Sequence, residues 1–198
     1  MKILKTLKNC TFPFHLARFL WFSAALVSLI FGIVGSPMPY FHQGSQCYNA
    51  WGYKEDCTSV QYTTLTNDLR LCQTLVQYLQ VGATFEILGN LTMGFALIVA
   101  TIGLFVVKKR WCKIVTMVFS IAAAVSWVFV VAFMTGSWDI NVCFAYNSLG
   151  SFKDQMWGLS SGAALLIIAW LFATGSAVVW FFLDPEFEKN DDEVKEVA

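Results

Sequence analysis

The residues of this sequence that could carry chemistry are six cysteines, two histidines and Glu86, a carboxylate inside an apolar stretch. Metal sites need His, Cys or carboxylate ligands at short spacings, and the sequence has no His-x-x-x-His pair and no cluster of acidic ligands. It also lacks a phosphate-binding glycine loop and a nucleophile elbow. Since no residues can be given acid, base or nucleophile roles, we expect no catalytic residues, no metal, no cofactor and no enzyme activity.

Glu86 is the only charged residue in the four apolar stretches of the sequence, residues 19–35, 81–107, 114–134 and 159–183, and it has two interpretations. A carboxylate within a membrane segment is costly and often functional. Together with Asn90 and Thr92 it puts several polar atoms on one helix, which suits a transporter or channel for small molecules, protons or ions. The alternative is a glutamate at the membrane interface, or one that is hydrogen-bonded and packed against another helix.

The elements that carry these residues are expected to be membrane helices. Hydrophobic residues make up 57% of the 198 residues and charged residues only 13%, which is too apolar for one water-exposed domain of this size. About 20 helical residues cross a bilayer, and four apolar stretches are long enough. We predict a single domain over residues 1–198, an all-α bundle with transmembrane helices at residues 16–35, 81–107, 112–134 and 158–183. The first stretch exceeds the core of a cleaved signal peptide, which favours a retained helix.

Basic residues indicate the orientation of this bundle. Ten of them lie before the first helix, between the second and third, or after the fourth, and the opposite side has only Lys54, Arg70 and Lys153. The positive-inside rule therefore places both termini in the cytoplasm and two loops outside, at residues 36–80 and 135–157. Residues 184–198 are acidic, so we expect a disordered cytoplasmic tail. The net charge is zero, and we expect no nucleic-acid partner.

This orientation separates the cysteines into two groups. Four face the oxidising side, where disulfides form: Cys47, Cys57, Cys72 and Cys143. A bond between Cys47 and Cys57 would tie a local loop that has little core of its own. A second bond between Cys72 and Cys143 would join the two outer loops, and a free thiol at Cys72 is the alternative. Four cysteines allow three pairings, and the sequence does not choose among them.

The other two cysteines, Cys10 and Cys112, face the cytoplasm beside helix ends. Lys8 and Lys113 lie close to them in the sequence, and juxtamembrane cysteines in this setting can be palmitoylated. An unmodified thiol is the alternative.

The first outer loop has the sequence of a small β element. Residues 60–66 are rich in β-branched and aromatic residues with partial alternation, which predicts a strand. Leu71, Leu75, Val76 and Leu79 recur at helical spacing, so we expect the second helix to begin outside the membrane. The loop is then expected to form a small sheet that rests on the helix ends.

The same loop contains a cysteine motif at residues 47–57, Cys-Tyr-Asn-Ala-Trp-Gly-Tyr-Lys-Glu-Asp-Cys. It resembles the signature of the amastins, surface proteins of trypanosomatid parasites, at Cys47, Tyr48, Trp51, Gly52, Lys54, Asp56 and Cys57. Asn49 and Ala50 depart from that signature. Amastins are similar to claudin-like four-helix proteins, although the claudin Gly-Leu-Trp sequence before the first cysteine is absent here.

The resemblance implies a multi-pass plasma-membrane protein that presents a disulfide-tied loop for contact with membrane lipids, a host membrane or a host surface protein. Trp51 would either anchor this loop on the bilayer or helix ends, or dock into a partner with Lys54, Glu55 and Asp56 as a polar rim. The Asn-x-Thr sequon at Asn90 lies inside the second helix, so we do not expect N-glycosylation there. A surface interaction protein is the leading interpretation, and a transporter that uses Glu86 is the alternative.

Small residues on two helices predict close packing. Gly158 and Gly162 form a GxxxG pattern, and residues 122–124 are alanines. Packing within one bundle and formation of a homo-oligomer both explain these patterns.

Overall fold

The computed structural model describes residues 14–66, 73–105, 110–139, 141–143, 149–154 and 156–182. Its four helices are α1 (Phe14–Gly35), α2 (Gln73–Phe105), α3 (Arg110–Asp139) and α4 (Ser161–Phe182). Among the described residues, three helical segments are long and apolar enough to cross a membrane: Leu75–Gly103, Trp111–Asp139 and Ser161–Trp180. Helix α1 contributes a shorter apolar segment, Phe19–Gly35. The predicted fold class, a four-helix bundle with a small β element, is confirmed.

The helix boundaries differ from the predicted membrane segments in two informative places. Helix α2 begins at Gln73, well before residue 81, as the helical spacing of its leucines indicated. Helix α4 begins at Ser161 rather than at residue 158, because Gly158–Leu159 forms a strand instead. The apolar composition of that stretch could not separate a short edge strand from the helix that follows it.

The helices form two pairs of unequal length. Helices α1 and α4 have 22 residues each, about 33 Å of helix, whereas α2 has 33 residues, about 50 Å. The most extensive helix contacts join α2 to α3 and α1 to α4, and the contact between α1 and α2 is the smallest of the neighbouring pairs. Because α2 and α3 are longer than their neighbours, they leave a step at one end of the bundle, and the sheet lies there.

Five short strands form an antiparallel sheet in the order β4-β3-β2-β1-β7. They are β1 (Phe41–Gln43), β2 (Gln46–Asn49), β3 (Gly52–Lys54), β4 (Thr64–Leu65) and β7 (Gly158–Leu159). Strands β5 (Asn141–Cys143) and β6 (Leu149–Ser151) form a separate two-stranded sheet. The register pairs Phe41 with both Tyr48 and Leu159, so a strand from the second loop completes a sheet made by the first.

The predicted strand at residues 60–66 is only partly present. Its last residues form β4, whereas Ser59 and Gln61 bond to each other in a turn before it. The hairpin of β1 and β2 was not predicted, although Gly44 takes a φ of 60° at the first position of its two-residue turn, where glycine is favoured.

An aromatic cluster joins the sheet to the second loop. Phe41 stacks on Phe152 at 4.7 Å between ring centroids and lies 5.4 Å from Trp138 at the end of α3. Tyr48 makes edge contacts with Phe152 at 5.3 Å and with Trp157 at 5.2 Å. Since most of these side chains are buried, the two loops share one small core on top of the bundle.

The glycines of the predicted GxxxG pattern pack against their own chain. A Cβ at Gly162 would come within 2.7 Å of the Met38 carbonyl, and one at Gly158 within 2.7 Å of the His42 ring. The backbone N–H of Gly162 donates to the Pro39 carbonyl at 3.0 Å. Packing within one chain thus accounts for both glycines, and the homo-oligomer stays a prediction.

Candidate functional site

Asn49 organises the turn at the centre of the cysteine motif. Its side-chain oxygen accepts hydrogen bonds from the backbone N–H groups of Trp51 at 3.0 Å and Gly52 at 3.1 Å, which is the pattern of an Asx turn. Its amide nitrogen donates to the Pro37 carbonyl at 3.0 Å and to the Tyr62 hydroxyl at 2.8 Å. Asn49 is buried, so these bonds replace those that water would make. They fix the turn to the segment that follows α1.

Gly52 is required by close packing between strands. A Cβ at this position would come within 3.0 Å of the Tyr62 ring and 3.1 Å of Leu65 Cα. Gly52 does not have a positive φ, so the conformational freedom of glycine is not the reason for it. The motif needs glycine here because β3 and β4 approach each other closely.

A chain of hydrogen bonds connects the motif to Glu86 in α2. The indole N–H of Trp51 donates to Ser36 Oγ at 3.3 Å, and the Ser36 hydroxyl donates to Glu86 Oε2 at 3.0 Å. The Tyr40 hydroxyl donates to the other oxygen, Glu86 Oε1. Burial, and then the nearby carboxylate, raise the pKa of Tyr40 well above its usual value, so Tyr40 remains a donor. The motif and the glutamate of the apolar stretch therefore form one network.

The geometry at Glu86 agrees with the interpretation of a hydrogen-bonded glutamate packed between elements. Its side chain is 1% exposed, and each carboxylate oxygen accepts a hydrogen bond. The other polar groups of the helix bond elsewhere: the Thr92 hydroxyl donates to the Leu88 carbonyl at 2.7 Å, and the buried Asn90 Oδ1 has no hydrogen-bond partner among the described residues. Glu86, Asn90 and Thr92 thus share a helix without forming one site.

The exposed side chains of α2 change character at Glu86. Before it the exposed residues are polar: Gln77, Gln80 and Thr84. After it they are apolar: Ile87, Leu88 and Leu91. Glu86 therefore lies where a water-compatible surface gives way to an apolar one.

Cys47 and Cys57 lie close together in the structure. Cys47 is buried on β2, and the backbone N–H of Cys57 donates to the Ser45 carbonyl at 2.9 Å, which holds the two residues together. Burial, and then the hydrogen bond with Cys57, raise the pKa of the Cys47 thiol to about 12. Both residues are free thiols in this structure, and the disulfide between them stays a prediction that their proximity favours.

The remaining cysteine predictions are not tested. Cys112 is a free thiol that packs beside Gly103, where a Cβ would come within 2.8 Å of it. Cys10, Cys72 and the side chain of Cys143 lie outside the described residues. Palmitoylation at Cys10 and Cys112 and the bond between Cys72 and Cys143 thus stay predictions. Among the described residues, no group of three or more His, Cys, Asp or Glu side chains could hold a metal.

The charged residues of the motif stabilise the loop between β3 and β4, residues 55–63. The Lys54 ammonium group donates to the Ser59 carbonyl at 2.9 Å and lies 4.6 Å from the centre of the Tyr62 ring. Asp56 accepts hydrogen bonds from the backbone and hydroxyl of Thr58, which lower the pKa of its carboxyl group. The contacts of Lys54 and Asp56 in this structure therefore stabilise the loop itself.

This β3–β4 loop projects an apolar side chain. Val60 is 90% exposed, although Ser59 and Gln61 on either side of it bond to each other. Glu55 and Asp56 are also exposed. In contrast, Trp51 is 36% exposed and its N–H group is bonded to Ser36. The outermost part of the motif region is thus the loop tip rather than the tryptophan.

Sequence reasoning did not identify Ser36, Tyr40 or Asn49 as site residues. Asn49 had a local signal, since asparagine before a turn often bonds to the backbone two residues ahead. Tyr40 and Ser36 had none, because their partner Glu86 is separated from them by 46 and 50 residues.

Comparison with protein families places this chain beside known proteins. The model of a family described as amastin surface glycoprotein matches residues 26–179, which include most of the four helices and the whole cysteine motif. No curated protein matches the sequence.

Proposed function

Because the chain belongs to the amastin surface glycoprotein family, we propose that this surface membrane protein presents its β3–β4 loop for contact with a second surface, a host membrane or a protein on it. In this proposal both termini are cytoplasmic, as the basic residues indicate, and the sheet faces outward from the plasma membrane. The protein has no enzymatic role in this proposal, since no catalytic arrangement was found in its sequence.

One observation carries the proposal: the β3–β4 loop is held by its own hydrogen bonds and projects Val60 beyond the exposed carboxylates of Glu55 and Asp56. Backbone and side-chain hydrogen bonds hold the loop before any partner binds, so little conformational entropy is lost on contact. The low pKa of Asp56 keeps its carboxylate charged near neutral pH. An exposed valine beside charged groups suits a protein partner with a small apolar pocket and basic rim.

The test uses the full chain in fluorescent nanodiscs that are applied to mammalian cells and to protein-free lipid vesicles. A loop variant combines Val60→Ser, Glu55→Gln and Asp56→Asn, and the control variant is Lys153→Gln, an exposed residue of the second loop. We expect the loop variant to lose cell binding to the level of empty nanodiscs, whereas the control keeps it. Equal binding by the loop variant would contradict the proposal, and binding to vesicles would make lipid the partner.

Transport through Glu86 is the weaker candidate. The carboxylate is enclosed, and its two oxygens are already occupied by Tyr40 and Ser36. A pathway would need these bonds to open and further ionisable groups along the bundle, which the apolar stretches lack. Proton or ion flux in liposomes that disappears with Glu86→Gln would reverse this ranking.

A further inference from the structure

The apolar belt of the bundle ends on one side at a level that the structure defines. On α2 the exposed residues change from polar to apolar between Thr84 and Ile87. On α3 the exposed Val128 and Phe129 give way to Thr135 further along the helix. An exposed surface that is apolar over a helical length of about 30 Å and then becomes polar marks the edge of the hydrocarbon layer.

Helix α1 reaches the same level. Its last turn exposes Ile33 and Val34, and Ser36 directly after it donates to Glu86. The end of α1 with Ser36 and residues 86–87 of α2 therefore lie side by side where the apolar belt ends.

The edge of the sheet continues this belt. Trp51 donates to Ser36, so its indole lies at the end of α1. Leu65 pairs with Gly52, the neighbour of Trp51, and is 50% exposed. Strand β4, which carries Leu65, is the last strand on this side of the sheet. Through Ser36, the exposed edge at Trp51 and Leu65 is thus joined to the level of α1 and α2 at which Ile33 and Ile87 are exposed.

We propose that this edge, Trp51 and Leu65, lies in the outer leaflet of the protein's own membrane, in contact with the glycerol and upper acyl region of phospholipids. The continuity with the belt of the helices identifies lipid as the occupant. Tryptophan is enriched at this depth because one part of its ring system is apolar and the other donates a hydrogen bond. Lipid would also cover an apolar edge strand that is a hazard for aggregation in water. The inference rests on the membrane location and not on binding of the loop tip to a second surface.

The experiment labels the unmodified chain in nanodiscs of phosphatidylcholine that carries a photoreactive diazirine near the top of one acyl chain. After illumination, peptides are mapped by mass spectrometry. We expect adducts at Trp51 and Leu65 as well as at Ile33 and Ile87, and none at Val60. Adducts at Ile33 and Ile87 without any at Trp51 or Leu65 would overturn the proposal, as would labelling of Val60 equal to that of Leu65.

A second measurement places the photoreactive group on the protein instead of on the lipid. The photoreactive amino acid benzoylphenylalanine replaces Leu65 in one variant and the matched apolar residue Val60 in another, and the nanodiscs contain ordinary phosphatidylcholine. The proposal predicts a lipid adduct in the variant labelled at position 65 and no lipid adduct in the variant labelled at position 60. Lipid adducts at both positions, or at neither, would contradict it. Failure here leaves the cell-binding test of the loop tip unaffected, so the two proposals are separable.

Discussion

At the junction of sheet and bundle, the carboxylate of Glu86 accepts hydrogen bonds from two protein donors in place of water. Each donor comes from the segment between α1 and β1, and the acceptor comes from α2. A carboxylate at this depth is stabilised only while both bonds are present, because a buried polar group without a partner is costly. The residue that looked most like part of a transport pathway therefore has a structural explanation.

Replacing the carboxylate should weaken the attachment of the sheet. We expect Glu86→Leu to lower the free energy of unfolding by about 1–3 kcal/mol, because it leaves the buried hydroxyl of Tyr40 without an acceptor. Thermal unfolding in detergent, followed by near-ultraviolet circular dichroism, measures the loss. Glu86→Gln keeps an acceptor oxygen, so it should lower the free energy of unfolding less than Glu86→Leu does. Tyr40→Phe removes only one of the two donors to Glu86. A Glu86→Leu protein as stable as the unchanged chain would contradict this account.

Among the elements, α2 shows how a glycine can determine helix packing. A Cβ at Gly89 would come within 3.0 Å of the Trp127 ring, which is fully buried and has little room to move. Gly94, on the same helix, has no atom within 4 Å of the position of such a Cβ. The two glycines thus form a natural pair of test and control.

We expect Gly89→Ala to destabilise the bundle by about 1–3 kcal/mol through overpacking against Trp127. Gly94→Ala should be neutral, or more stable by up to about 1 kcal/mol, because alanine favours the helix more than glycine does. Thermal unfolding of both variants under one condition compares them. Equal stability of the two variants would contradict the prediction that a methyl group at position 89 overpacks against Trp127.

The helices could be predicted from sequence because their apolar composition is a local property, and the early start of α2 followed from the spacing of residues such as Leu75 and Leu79. Of the strands only β4 was indicated, as the end of the strand predicted at residues 60–66, since two to four residues carry little periodicity and β7 pairs with β1 across more than 100 residues. Asn49 stood out only as a departure from the amastin signature, yet it holds the central turn with four hydrogen bonds. The hydrogen bonds between Glu86 and the segment after α1 depend on tertiary contacts, which cannot be predicted from a single sequence.

At the scale of the whole molecule, orientation and oxidation state are linked. If the sheet faces the oxidising side, the adjacent thiols of Cys47 and Cys57 should be joined in protein from native membranes. Peptide mass spectrometry without reduction should find that bond, with Cys112 outside any disulfide as the internal control. Free thiols at both Cys47 and Cys57 would contradict the orientation proposed for the chain.

The position of Trp127 has a consequence for how the bundle can move. Its ring fills a gap between glycines of two other helices: a Cβ at Gly32 would come within 2.5 Å of the ring, and one at Gly89 within 3.0 Å. If α2 slid along its axis, the side chain of Phe85 or Met93, one turn away from Gly89 on the same face, would enter the volume of the ring. Sliding is therefore blocked at the middle of the bundle, and tilting about Trp127 as a pivot is the motion that this contact allows. A force on the sheet would then reach the far ends of the helices as a displacement in the opposite direction.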